Sequence, residues 1–135
     1  MPRPFQLSVV SPERTVFDDQ VTSVIAPGVE GYLGVMAGHE PQIVALKAGL
    51  VEYEDKNGQR TFVATMGGFM EISSERAIIL AEDAEISTEI SIEKAEAELD
   101  KARRALRGEE VDMTPEQATE ALNRAMVRLK AARMR

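Results

Sequence analysis

The residues best suited to chemistry are concentrated in one run, Gly31-Tyr32-Leu33-Gly34-Val35-Met36-Ala37-Gly38-His39-Glu40-Pro41, which holds the only histidine of the chain. Histidine titrates near neutrality, so His39 beside Glu40 is the one candidate acid/base pair for a small hydrolase. Adjacent residues of an extended chain point to opposite faces, however, and there is no second histidine. No Gly-x-Ser-x-Gly, His-Glu-x-x-His or phosphate-loop pattern is present to add a nucleophile or oxyanion donors. The absence of cysteine removes a thiol nucleophile, a thiolate metal site and a disulfide framework together, and fits a reducing compartment. The run therefore reads as a loop or an interface and not as a catalytic centre, and Glu30-Gly31-Tyr32 at its start reads by spacing as an ordinary turn between two strands. Its glycines, echoed by Met66-Gly67-Gly68-Phe69-Met70-Glu71, set backbone bends where side chains would obstruct.

Charge supplies the second chemical feature. The chain carries a formal charge of -7, which argues against a nucleic-acid binder, since a phosphate backbone rewards a basic face. Residues 1–90 hold 6 basic and 14 acidic side chains, whereas residues 91–135 hold 10 basic and 9 acidic ones. From Ala121 onward there are five cations, Arg124, Arg128, Lys130, Arg133 and Arg135, and no acid. Arg124 and Arg128 are four apart and Arg135 follows seven later, so on a helix these three share a stripe.

The elements that must position these residues differ between the two parts of the chain. From Phe5 to about Leu80 apolar residues come in short runs separated by turn residues. Phe5 to Val9, Thr15 to Phe17, Val21 to Ala26, Tyr32 to Val35, Ile43 to Leu46, Leu50 to Tyr53, Thr61 to Thr65, Phe69 to Ile72 and Ala77 to Leu80 are the candidate strands. Asn57-Gly58 predicts a type I′ hairpin turn, and Ser74-Glu75 a second tight turn. Eight to ten short strands can close their edges only as a sandwich or flattened barrel, expected over residues 1–86.

After Ser87 the period becomes helical. Ile92, Ala95, Leu99, Ala102 and Leu106 form a narrow apolar seam, with Ser91 as N-cap and Gly108 as terminator of a helix over about 91–107. Thr114-Pro115-Glu116-Gln117 opens a second helix over about 115–133, with a seam of Ala118, Ala121, Leu122, Ala125, Leu129 and Ala132. The expected fold is α+β: an all-β sandwich and then an antiparallel helical hairpin over 87–135. Seams built largely from alanine bury little area, so the hairpin should be able to rest folded or detach and extend.

No apolar stretch approaches the ~20 residues of a membrane helix. The start Met1-Pro2-Arg3-Pro4-Phe5 resembles neither a secretory signal nor a transit peptide. Membrane association is therefore expected only through a partner. With no Trp and two Tyr the chain makes a poor stacking platform, which weakens the alternative of a free-standing ligand- or peptide-binding sandwich.

Two patterns in order before a two-helix tail, Gly31-x-Leu33-Gly34-Val35-Met36-x-Gly38-His39-x-Pro41 with Gly49 following, and Gly67-Gly68-Phe69-x-Glu71, resemble the epsilon subunits of bacterial F-type ATP synthases. The likeness covers essentially the whole chain, and the same fold serves chloroplast epsilon and mitochondrial delta subunits. The absent transit peptide favours a bacterial member.

The resemblance implies a non-catalytic central-stalk subunit of a proton-translocating complex, on the cytoplasmic face of the bacterial plasma membrane. Its sandwich would bind the gamma subunit near Gly38, His39 and Pro41 and meet the ring of c subunits through Glu30, Gly31 and Tyr32. Tyr32 stands where an acidic or small residue is common. The hairpin would extend into the alpha/beta catalytic hexamer and restrain ATP hydrolysis, with Arg124, Arg128, Lys130, Arg133 and Arg135 facing an acidic loop of the beta subunit. Some members bind ATP through Ile/Leu-Asp-x-x-Arg-Ala at the start of the first helix. Here Ile90-Ser91-Ile92-Glu93-Lys94-Ala95 lacks both the Asp and the Arg. Weak or absent ATP binding is therefore expected, with Lys94, Arg103 and Arg104 as the phosphate contacts on offer and no cofactor.

Overall fold

Alternation decides the first strand. Phe5, Leu7 and Val9 are buried in the core of the sandwich, while Gln6 and Ser8, the latter also buried, lie on the opposite side of the strand and donate hydrogen bonds to Asp18 Oδ1 at 2.6 and 2.7 Å. The structure is a computed structural model that describes residues 2–109 and 111–135; Met1, the first residue of the expected sandwich span, lies outside them. It contains strands β1 (Phe5–Val10), β2 (Thr15–Gly28), β3 (Gly31–Val35), β4 (Gln42–Asp55), β5 (Arg60–Ile72), β6 (Arg76–Ala81) and β7 (Ala84–Ile86). A short 3-10 turn, Ser87–Glu89, leads to helices α1 (Ile92–Leu106) and α2 (Pro115–Arg133).

The strands run β1-β6-β5-β4-β2-β3, and β1 also pairs with β2, so the sheet closes on itself into a flattened barrel. β1 lies antiparallel to β2 and parallel to β6. Closure removes the unpaired edges that short strands would otherwise present.

Seven strands replace the eight to ten expected among the described residues, because three of them are long and continuous. Thr15 to Phe17 joins Val21 to Ala26 in β2; Ile43 to Leu46 joins Leu50 to Tyr53 in β4; Thr61 to Thr65 joins Phe69 to Ile72 in β5. What reads as a gap in β5 is a corner. Val63 to Thr65 pair with β7, whereas Gly68 to Ile72 pair with β6. Between them Gly67 and Gly68 take φ of 79° and 128°, a region that favours glycine. A Cβ on Gly68 would run into the Leu80 carbonyl.

The Asn57-Gly58 turn also differs from expectation. No non-glycine residue has positive φ among the described residues, so Asn57 cannot fill the first position of a type I′ turn. The hairpin closes instead through the four residues 56–59, with only Gly58 at φ 80°. The Asp55 carboxylate accepts from the backbone N–H of Asn57 and Gln59 at 2.8 and 3.0 Å. At the other predicted turn Ser73 N–H donates to the Arg76 carbonyl at 2.8 Å, bringing Ser74-Glu75 to the tip.

Leu7, Val9, Val21, Val24, Val35, Val51, Val63, Met70, Ile72 and Ile79 are fully or almost fully buried in the barrel. At about 1.5–3 kcal/mol for each large aliphatic side chain buried, the sandwich has its own core.

The helical hairpin follows the expected caps. Ser91 Oγ accepts from Lys94 N–H, and Thr114 with Gln117 forms a full capping box. After α1, Glu109 N–H reaches the Arg104 carbonyl and Gly108 N–H the Ala105 carbonyl, with Gly108 at φ 81°. That is the Schellman arrangement. Ala95 and Ala102 of α1 are buried, as are Ala118, Ala121, Ala125 and Leu129 of α2, whereas Leu106, expected in the seam, is exposed.

It is α2 that lies on the sandwich. Ala131 and Ala132, with the half-buried Val127, pack against Leu50, Ala64, Phe62 and Ile90. Ala131 lies outside the predicted seam, and Ala132, its last member, turns with Ala131 onto the sheet. The apolar part of this seat is narrow, and the alanines supply methyl groups where the barrel core supplies branched chains.

Candidate functional site

The glycine-histidine run spans two different places. Gly31 and Tyr32 leave the two-residue turn Val29-Glu30 between β2 and β3, with Gly28 opposite Gly31 and Pro27 opposite Tyr32. Gly31 has φ 135°, and Val29 and Tyr32 leave more than half their surface in solvent. Gly38, His39 and Pro41 lie beyond the far end of β3, which separates the two by its own length, about 13 Å at 3.3 Å per residue. Gly38, at φ 86°, donates its N–H to the Ser74 carbonyl at 2.7 Å, anchoring this loop to the β5–β6 turn.

His39 has no catalytic setting. Its Nδ1 lies 2.9 Å from the backbone carbonyl of Glu40, so the ring is engaged with main chain and not with the Glu40 carboxylate. Among the described residues no group of three or more His, Asp or Glu side chains is placed to hold a metal ion.

The strand register reveals a surface that sequence reading missed. Ala45 pairs with Phe69, Phe69 with Leu80 and Leu80 with Val10, so these four form one row across β4, β5, β6 and β1. The neighbouring row holds Ile43, Glu71 and Ile78. These side chains point away from the core, since their neighbours Leu46, Met70, Ile72, Ile79 and Ala81 are the buried ones. Ile43 is 72% exposed, Phe69 55% and Leu80 51%. A contiguous apolar patch of this kind on an otherwise charged surface marks a partner site. Its signal in the sequence is the apolar residue at several outward positions of β4 to β6, Ile43, Phe69, Ile78 and Leu80 beside the charged Glu71, which only the register assembles. Pro41 precedes the patch by two residues, and the Val29-to-Leu33 turn meets Gln42 to Ala45 across a shallow cleft, so both parts of the glycine-histidine run border it.

The terminal cations divide by direction. Arg128 Nε and Nη2 both lie 2.8 Å from Glu85 Oε1 on β7, and its Nη1 is 3.1 and 3.2 Å from the two Glu98 oxygens on α1. Arg124 Nε is 3.4 Å from Asp83 Oδ2, and Arg135 Nη1 donates to the carbonyls of Ser87 and Ile90 at 3.0 and 2.9 Å. These three, expected to face another subunit, are bound within the chain. Lys130 and Arg133 instead flank an outward groove between the helices, with Arg103 from α1 and a floor of Leu99, Met126, Leu129 and Met134.

The expected phosphate contacts do not converge. Lys94 and Arg103 are nine residues apart on α1, which puts them on opposite faces. Arg104 Nε lies 3.2 Å from Asp100 Oδ2. Ser91, in place of an Asp, is used as the N-cap of α1.

Family models match this architecture over nearly its whole length. Residues 4–87 match the beta-sandwich domain of the ATP synthase Delta/Epsilon chain, and residues 88–133 match its long alpha-helix domain. The chain belongs to the ATP synthase delta/epsilon family. The ATP synthase epsilon chain of Moorella thermoacetica is 43% identical over 93% of this chain and 94% of its own. That of Syntrophomonas wolfei is 37% identical over 95% and 93%. Among solved structures, a chain of the Euglena gracilis mitochondrial ATP synthase OSCP/F1/c-ring assembly superposes with a TM-score of 0.77 at 26% identity, covering 98% of this chain and 82% of that one. As a delta/epsilon chain it is a non-catalytic subunit of an ATP synthase. Among the described residues no helix is long and apolar enough to cross a membrane.

Proposed function

We propose that this delta/epsilon chain is a central-stalk subunit of a bacterial, proton-translocating F-type ATP synthase, held at the cytoplasmic face of the plasma membrane by its partners. The gamma subunit docks on the apolar rows around Ile43, Phe69 and Leu80, with Gly38, His39 and Pro41 at their border. The c ring is met by the projecting turn at Glu30, Gly31 and Tyr32, where Val29 and Tyr32 offer apolar surface and Glu30 the charge. The hairpin, resting on α2, leaves the sandwich to restrain ATP hydrolysis in the alpha/beta hexamer, and the cations of α2 then meet an acidic surface of the beta subunit.

The observation that carries this reading is the apolar outer face of β4, β5 and β6. One end of β4 and β5 is covered by α2, at Leu50, Phe62 and Ala64, and the other end is left bare. The bare apolar face and the projecting turn, which adjoin across the cleft at Gln42 to Ala45, suit a subunit held between two others.

Size-exclusion chromatography with a purified gamma subunit tests it. Co-elution at equal stoichiometry is expected, and separate elution would contradict it. No nucleotide site is part of the proposal, because Lys94, Arg103 and Arg104 do not face a common point.

A further inference from the structure

The three inward cations of the hairpin all end on one short stretch of the chain. Asp83, Glu85, Ser87 and Ile90, which receive Arg124, Arg128 and Arg135, lie in the β6–β7 turn, on β7 and on the link between sandwich and hairpin. Arg128 is the centre of this group. It ties α2 to β7 through Glu85 and to α1 through Glu98, and its side chain is only 19% exposed, against 25% for Glu85. A partly desolvated guanidinium held by two carboxylates contributes more than an exposed pair, which is worth almost nothing.

The remainder of the seat is weak by comparison. Ala131, Ala132 and Val127 cover Leu50, Phe62, Ala64 and Ile90 with small groups, so the charged contacts add substantially to what keeps the hairpin in place. A guanidinium does not lose its proton, and leaving it buried without an anion is costly. The arginines must therefore find carboxylates or water wherever the hairpin goes.

We infer that Arg124, Arg128 and Arg135 form a latch, centred on the Arg128–Glu85 pair, whose release frees the hairpin, and that Asp83 and Glu85 occupy the place an acidic partner surface takes once the hairpin extends. One set of cations then serves two mutually exclusive contacts. Sandwich acids act as an internal competitor that sets how readily the hairpin leaves. The second half rests on the partner reading proposed above; the latch stands on the intramolecular geometry alone.

The chain has no cysteine of its own, so Lys56→Cys and Glu120→Cys place two fluorescent labels uniquely on the full-length protein, one on the sandwich and one on α2. Energy transfer between them reads the ratio of docked to free hairpin. That ratio should fall between about 0.1 and about 1 M salt, over which the screening length shrinks from about 10 to about 3 Å. Glu85→Gln should lower it roughly tenfold, the value of one charge-assisted hydrogen bond, and flatten its salt dependence. Arg128→Lys, which keeps the charge and loses the fork, should lower it by a smaller factor. A ratio indifferent to salt and to both substitutions, with the circular dichroism of the sandwich unchanged, would overturn the latch. In assembled ATP synthase Glu85→Gln should deepen the inhibition of ATP hydrolysis. Unchanged hydrolysis beside a lowered docked ratio would overturn the exchange of partners and leave the latch standing.

Discussion

Phe69 and Leu80 stand directly opposite each other on β5 and β6, and each leaves more than half of its surface in solvent. Side chains of that size are kept exposed at little benefit to the fold, so their value lies in what covers them. Phe69→Ser should leave the unfolding midpoint of the isolated chain nearly unchanged, since exposed substitutions usually fall within about 0.5 kcal/mol. It should weaken binding to gamma by about 2 kcal/mol or more, roughly thirtyfold, as loss of an interface anchor does. Titration calorimetry against gamma would check this, and an unaltered affinity would remove the row from the interface.

Gly68 and Gly34 both belong to the glycine patterns, yet they answer differently to alanine. A Cβ at Gly68 meets the Leu80 carbonyl and requires a side chain at φ 128°, whereas around Gly34 nothing lies within 4 Å. Gly68→Ala should cost about 3 kcal/mol, because backbone strain and a clash with main chain act together. Gly34→Ala should stay within about 0.5 kcal/mol. Denaturant unfolding of the two variants separates them, and equal stability would contradict the corner assigned to Gly67-Gly68.

This contrast shows how much of the fold was legible. Alternation in β1, the capping box at Thr114 and the stop at Gly108 are local signals, and each forms as the residues predict. The corner in β5 was read as two strands because Gly67-Gly68 interrupts the apolar pattern without interrupting the strand. β7 was missed because three residues are too few to display a period. The exposed apolar row and the pairing of Arg128 with Glu85 depend on register and on contacts 43 residues apart, which no local window contains. His39 drew attention as a rare residue type. Its ring is engaged with the Glu40 main chain.

Asp18 links pH to the stability of the barrel. Hydrogen bonds from Ser8 and then Gln6 hold its carboxyl below the ordinary 3.8, outweighing the opposing effect of desolvation. A depressed value in the folded state means stability present above 3.8 and lost as pH falls through the folded value. Thermal midpoints of the wild type and Asp18→Asn should therefore differ near neutrality and converge below pH 3.8. A gap that stays constant down to that range would contradict the assignment.

The start of α2 depends on the Thr114–Gln117 box. Thr114 Oγ1 accepts from Gln117 N–H at 3.2 Å, and Gln117 Oε1 accepts from Thr114 N–H at 3.0 Å. Thr114→Ala should cost about 1 kcal/mol and raise hydrogen exchange at the Gln117 amide by about fivefold. Exchange that does not change would show that the helix start is held elsewhere.

On the proposed function, the hairpin regulates a complex whose catalysis lies in other subunits. The most direct test is the ATP hydrolysis rate of purified ATP synthase carrying this chain either intact or truncated after residue 88, with the sandwich present in both. Faster hydrolysis by the truncated form, at equal occupancy of the subunit, is the predicted result. Equal rates would contradict the regulatory role of the hairpin and leave the sandwich with coupling alone.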